Sequence, residues 1–210
     1  MKTKSLLQAG ALALALTATS LPAAVIFNSL TGTTATSANV SGPSSYTWAQ
    51  NFNVPAGNYT LSSVVLGMDN NDPESPVSGS GFYVQLWTTK AGGGLDTEVG
   101  ALTGTDNPYT AGSYTYTGSY SLTGGTSYYI KAGVTGSSDF DWLGGPIVSG
   151  SSTYGNTRND SISLFGSNQL KMEVNADLSP VPEPSEWAAV SVAMLGLVYV
   201  AKRRLAPVRQ

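Results

Sequence analysis

Residues 169–178 read QLKMEVNADL. Leu170, Met172, Val174, Ala176 and Leu178 fall on one face of an extended chain, and Lys171, Glu173, Asn175 and Asp177 on the other. A period of two is the spacing of a half-buried strand. The same period recurs upstream. Ser113 to Leu122 sets Tyr114, Tyr116, Tyr120 and Leu122 against Ser and Thr, and Tyr128, Ile130, Ala132 and Val134 share one side of the next run. Phe82 to Trp87 and Tyr59 to Met68 also read as strands, with weaker signals at Tyr46 to Val54 and Ser161 to Phe165. Turn chemistry separates these runs at Pro55-Ala56-Gly57-Asn58, Ala91 to Gly94, Thr123 to Thr126 and Gly144-Gly145-Pro146. No segment between the N-terminal apolar run and Pro180 carries a helical stripe. Short strands joined by Gly-rich turns predict an all-β, antiparallel β-sandwich or jelly-roll domain over residues 25–178.

The composition narrows the chemistry. Cysteine and histidine are both absent. No disulfide framework forms, so the core holds itself together. Thiol nucleophiles, His general bases and His metal ligands are excluded, which removes most hydrolase triads and nearly all zinc sites. Between residues 25 and 180, four cations face eleven carboxylates, a net of −7. An acidic span repels phosphate backbones, so no nucleic-acid partner is expected.

Both ends differ from the middle. Residues 1–24 place Lys2 and Lys4 before an apolar run from Leu6 to Ala18, then small residues. This is the layout of a secretory signal peptide, with cleavage expected after Ala24 and a second small-x-small site at Ala18-Thr19-Ser20. A buried N-terminal helix is the structural alternative. At the other end, Trp187 to Ala201 carries no charge. At about 1.5 Å per residue this run spans about 22 Å, against a bilayer core of about 30 Å. Its flanks decide its reading. Trp187 sits where an interfacial aromatic belongs, and Lys202, Arg203 and Arg204 sit where cytoplasmic cations anchor a span. Those side chains snorkel, and local thinning absorbs the mismatch. The domain plan is therefore a signal peptide at 1–24, the β domain at 25–178, a Pro-rich linker at 179–186, and a transmembrane helix with a basic cytoplasmic tail at 187–210.

The order Val181-Pro182-Glu183-Pro184, apolar helix, Lys202-Arg203-Arg204 resembles the PEP-CTERM sorting signal of Gram-negative bacteria, also called the ice-binding-protein C-terminal domain. The resemblance covers about 25 residues. It implies export, a transient inner-membrane anchor, processing near Pro-Glu-Pro by an exosortase-type enzyme, and a destination at the cell surface or in a biofilm matrix with exopolysaccharide. The middle resembles bacterial choice-of-anchor domains of the R type. Asn51-Phe52-Asn53-Val54 through Val64, Phe82 to Trp87, and Leu122-Thr123-Gly124-Gly125-Thr126-Ser127-Tyr128-Tyr129 carry this resemblance. That family has no established activity, so the resemblance implies a sandwich and no reaction.

Three candidate sites remain. Asp139, Asp141 and Trp142 lie beside Gly144-Gly145 in what reads as a loop, a candidate glycan site. Trp48, Trp87 and the tyrosines offer further stacking surfaces, although aromatics in strands mostly pack in the core. Asp69, Asn71 and Asp72 concentrate oxygen ligands in one segment, a candidate calcium site that lacks the EF-hand spacing. Asp96 with Glu98, or Asp139 with Asp141, has the composition of a glycosidase carboxylate pair. Short polar residues beside glycines more often form turns, so no catalytic residue and no enzyme activity is expected. No cofactor is expected apart from that candidate calcium. The expected protein is an exported, non-enzymatic surface or matrix component. A secreted glycan-, ice- or calcium-binding module is the alternative, and a glycoside-active enzyme a further one.

Overall fold

The computed structural model describes residues 23–34, 36–41, 47–69, 81–136, 138–147, 154–158, 161–165 and 168–179, with Val192, Met194 and Leu195. Residues 1–22 of the expected signal peptide lie outside this set, as do Asn71, Asp72, Val181-Pro182-Glu183-Pro184, Trp187 and Lys202-Arg203-Arg204. Val192, Met194 and Leu195 are helical and exposed. Among the described residues no helix is long and apolar enough to cross a membrane.

Leu21–Ser179 forms one compact unit and is all-β. Its strands are β1 (Ala24–Asn28), β2 (Thr36–Ser41), β3 (Thr47–Asn53), β4 (Asn58–Asp69), β5 (Phe82–Thr89), β6 (Leu95–Leu102), β7 (Gly112–Thr123), β8 (Ser127–Val134), β9 (Asp139–Pro146), β10 (Tyr154–Arg158), β11 (Ser161–Phe165), β12 (Asn168–Leu170) and β13 (Met172–Leu178). A seven-stranded sheet runs β1-β13-β4-β9-β12, with β2 added on β9 and β7 on β4. A six-stranded sheet runs β11-β10-β3-β8-β5-β6. The strand pairings are antiparallel.

The alternation of QLKMEVNADL is realised in β12 and β13. Leu170, Met172, Val174 and Ala176 are buried, while Leu178 is exposed at the strand end. Met172 to Leu178 pairs with β4, and Glu173 to Ala176 pairs with β1 on the other side. The inner faces of both sheets share one core in a sandwich-like arrangement. It joins Phe52, Val84, Leu86 and Ile130 to Leu61, Val64, Trp142 and Val174. Each such fully buried aliphatic or aromatic side chain contributes about 1.5–3 kcal/mol. Phe82 packs edge-on against Phe140, with centroids 5.1 Å apart. A buried amide joins the sheets. Gln50 Oε1 on β3 accepts from the Leu170 backbone N–H at 2.9 Å, and its Nε2 donates to the Asn51 carbonyl.

One border between the sheets is closed. Thr103 and Thr117 exchange both backbone hydrogen bonds at 2.8 Å, and the Tyr120 hydroxyl donates to the Ala101 carbonyl at 2.6 Å. A Cβ on Gly118 would lie 2.5 Å from Leu102 Cδ2 and 2.7 Å from Tyr120 Cε2, so glycine is what permits this approach.

Two expectations change. Gly144-Gly145-Pro146 is not a turn but the end of β9, paired with Asn168 to Leu170. A Cβ on Gly145 would lie 2.5 Å from the Thr33 carbonyl oxygen, and one on Gly144 2.8 Å from Thr36 Cγ2. These glycines serve close backbone approach inside a sheet. Strands β1, β2, β6, β9 and β10 also go beyond the sequence reading. Thr36-Ser37-Ala38-Asn39-Val40-Ser41 is too polar to signal a strand by itself. β9 pairs it along its full length and buries Ala38 and Val40.

Candidate functional site

Asp139, Asp141 and Trp142 do not share a loop; they lie on β9, inside the seven-stranded sheet. Trp142 faces the core with no exposed surface, and its indole N–H donates to the Lys171 carbonyl at 2.9 Å. Its ring is not available for stacking a solvent-borne sugar. Asp139 is exposed and Asp141 is buried, on the opposite face of the strand from Phe140 and Trp142.

The register joins residues from two separate sequence candidates. Asp69 at the end of β4 pairs with Asp141 of β9, and Asn39 of β2 flanks Asp141 on the other side. Two carboxylate-bearing residues thus sit directly across from each other in the sheet. Of the calcium candidates only Asp69 falls among the described residues. Among those residues no group of three or more acidic, His or Cys side chains is placed to hold a metal ion. Asp96 and Glu98 are both exposed on β6, and the Thr88 hydroxyl donates to Asp96 at 3.4 Å.

The three described tryptophans separate into three environments. Trp142 is core. Trp48 is half-buried against the core and donates through Nε1 to the Asn39 carbonyl at 2.6 Å. Trp87 is half-buried on the outer face of the six-stranded sheet, where it packs against a second cluster of Ala49, Leu95 and Tyr129. The Gly-rich turn between β5 and β6 closes over this cluster. Gly92, Gly93 and Gly94 all take positive φ, and the Gly94 N–H donates to the Tyr129 hydroxyl at 3.3 Å.

Around Trp87 the register builds three rows across β5, β8 and β3. Trp87 pairs with Tyr129 and Tyr129 with Asn51; Gln85 pairs with Lys131 and Lys131 with Ala49. Tyr83 pairs with Gly133, and a Cβ on Gly133 would fall 2.3 Å from the Tyr83 hydroxyl and 2.6 Å from Thr47 Cγ2. The phenol therefore lies across β8 instead of standing off it. Lys131 Nζ sits over the Trp87 ring, 4.6 Å from its centroid, and Trp87 Nε1 donates to Gln85 Oε1 at 3.1 Å. Both contacts fix the indole on the sheet. Tyr83, Gln85 and Lys131 did not emerge as site residues from the sequence. Their signal lies in the polar phase of Phe82 to Trp87, read together with the same phase of the Tyr128 strand.

The seven-stranded sheet carries a different feature. A groove of about 510 Å³ is lined by Thr60, Ser62, Thr103, Thr117, Ser119 and Asp177, among others. Several of its hydroxyls are already engaged: Ser62 donates to the Asn175 carbonyl, and Thr117 to that of Thr103.

Two buried tyrosines diverge in chemistry. Burial pushes the Tyr116 phenol well above its ordinary value, with the charges of Tyr114 and Asp106 adding to the effect; its hydroxyl has no hydrogen-bond partner among the described residues. Burial also pushes Tyr128 up, but hydrogen bonds from Thr123 and Thr126 outweigh it and leave the phenol below its ordinary value. The Thr123 N–H supplies one of them at 3.1 Å.

No family model matches this chain, and no curated protein matches it.

Proposed function

We propose that this chain is an exported, non-enzymatic cell-surface or extracellular-matrix protein, sorted through a PEP-CTERM-type signal and associated with exopolysaccharide or biofilm. In this reading an antiparallel sandwich stands between an N-terminal signal peptide and a single C-terminal membrane helix. The observation that supports it is the all-β, antiparallel architecture of the described strands from Ala24 to Leu178, the architecture expected of the segment between the two terminal signals read from the sequence. The route runs through the inner membrane, where the tail halts the chain with Lys202, Arg203 and Arg204 on the cytoplasmic side. An exosortase-type enzyme is the processing partner, acting near Pro182-Glu183-Pro184.

Replacing Pro182 and Glu183 together by Ala tests this route in a Gram-negative host that carries such an enzyme. Full-length protein is expected to accumulate in the inner membrane. Delivery of the double variant to the surface or medium at normal size would refute the sorting reading. Mass spectrometry of both ends of the mature protein reads the two signals together. It is expected to find an N-terminus near Val25 and a C-terminus near the Pro-Glu-Pro motif.

A further inference from the structure

We propose that the outer face of the six-stranded sheet, along Tyr83, Gln85 and Trp87 of β5, binds a neutral polysaccharide chain. This deepens the matrix reading above and rests on it for the biological setting. The binding chemistry stands on the face itself.

Three observations carry it. Two half-buried aromatics stand in line on one strand with an amide between them. Tyr83 and Trp87 are four residues apart, about 13 Å along a strand. That is a span for an oligosaccharide and not for a single sugar. Both rings are held in place. Gly133 leaves room for the Tyr83 phenol to lie across the neighbouring strand, and Lys131 with Gln85 fixes the Trp87 indole. Rings fixed before binding lose little freedom when a ligand stacks on them. The third observation is chemical. Gln85 spends its Oε1 on Trp87, while its Nε2 has no hydrogen-bond partner among the described residues. It is a donor placed between two amphipathic rings, suited to sugar hydroxyls and ring oxygens.

Charge selects the class of polymer. Glu98 is exposed on β6, beside β5, and pairs directly with Trp87, while Lys131, the cation of this face, is buried. Together with the net −7 of residues 25–180, Glu98 opposes a polyanion. A neutral glycan loses nothing to that field. The hydroxyl-lined groove beside Thr117 and Ser119 is the natural control, since it offers polar groups without an aromatic platform.

The test is native affinity electrophoresis of the purified full chain through gels containing dextran, galactomannan or mixed-linkage β-glucan, with alginate as the acidic comparison. At least one neutral polymer is expected to retard the protein and alginate is not. Trp87→Ala and Tyr83→Ala are expected to weaken retardation at least about tenfold, as truncating a central anchor does. Tyr83→Phe, which keeps the ring, and Thr117→Ala, in the control groove, are expected to leave it unchanged. If Trp87→Ala fails to fold, Gln85→Ala at a half-buried position decides, with weaker retardation expected from protein that keeps a cooperative melting transition. The proposal is overturned if no neutral polymer retards the wild type, if alginate alone does, or if folded Tyr83→Ala and Gln85→Ala bind like wild type. It is equally overturned if Thr117→Ala abolishes binding, which would move the site to the other sheet. Purified protein is used throughout, so failure here leaves the sorting reading intact, and missorting of the Pro182 and Glu183 variant leaves this one intact.

Discussion

On β7, Ser113, Thr115, Thr117, Ser119, Ser121 and Thr123 all face solvent, and Tyr116 and Leu122 between them are buried. On β8 the positions between the core residues are Tyr129, Lys131 and Gly133, and they are buried too. Both strands alternate in sequence, but only β7 alternates in burial. The difference lies in what covers the outer face. β7 carries exposed hydroxyl side chains on that face. β8 is central in its sheet, and the turn between β5 and β6, Trp87 and the Tyr83 ring close over it. An outer face that packs like a core is therefore expected to respond to mutation like one.

The largest effect expected from this contrast is at Tyr129. Tyr129→Ala removes the centre of the outer cluster and the acceptor for Gly94, and is expected to cost about 3–5 kcal/mol in urea unfolding. A cost typical of surface sites would break the comparison. Next is Gly133→Ala, whose methyl group must displace the Tyr83 hydroxyl and Thr47. A loss of about 1–3 kcal/mol is expected, read as a lower urea midpoint at unchanged m-value.

A smaller effect of opposite sign is expected at Tyr116 on β7. Its buried hydroxyl has no partner among the described residues, so Tyr116→Phe is expected to stabilise by about 1 kcal/mol. The same substitution changes the alkaline limb of the stability curve. Tyr116 ionises in the unfolded chain near pH 10.0 and at a higher pH in the folded one. Its contribution is thus fully present below pH 10.0 and is lost as pH rises toward the folded value. Melting curves between neutral and strongly alkaline pH are expected to fall less steeply for Tyr116→Phe than for wild type. Equal slopes would show that Tyr116 does not govern this limb. The smallest effect is expected for Thr115→Ala on the solvated face, within about 0.5 kcal/mol of wild type.

Period-two reading located the strands that own an apolar face: β13, β7, β8, β5 and β4. It could not locate β2, which becomes a strand because β9 supplies its hydrogen bonds. It misplaced Asp139 to Gly145 because Asp and Gly signal turns by local preference, and here sheet pairing overrides that preference. The aromatic platform was only partly legible. Trp87 stood out by its size, but the positions of Gln85, Lys131 and Gly133 beside it depend on the register between β5 and β8, which one strand's pattern does not encode.

The pairing of β1 with β13 carries a consequence for how the molecule is made. Among the described strands, β13 is the one that pairs with β1, and it also forms the far neighbour of β4 along Tyr59 to Leu66. A chain delivered from its N-terminus presents β1 first and its partner last. Val25 to Phe27 therefore waits through nearly the whole domain for Val174 to arrive, and such long-range closure is slow. The seven-stranded sheet acts as a completeness check. A product cut short before Met172 leaves β1 without its neighbour and β4 with an open edge, the kind of exposed strand that proteases and aggregation remove. Only a chain delivered through Leu178 completes the fold.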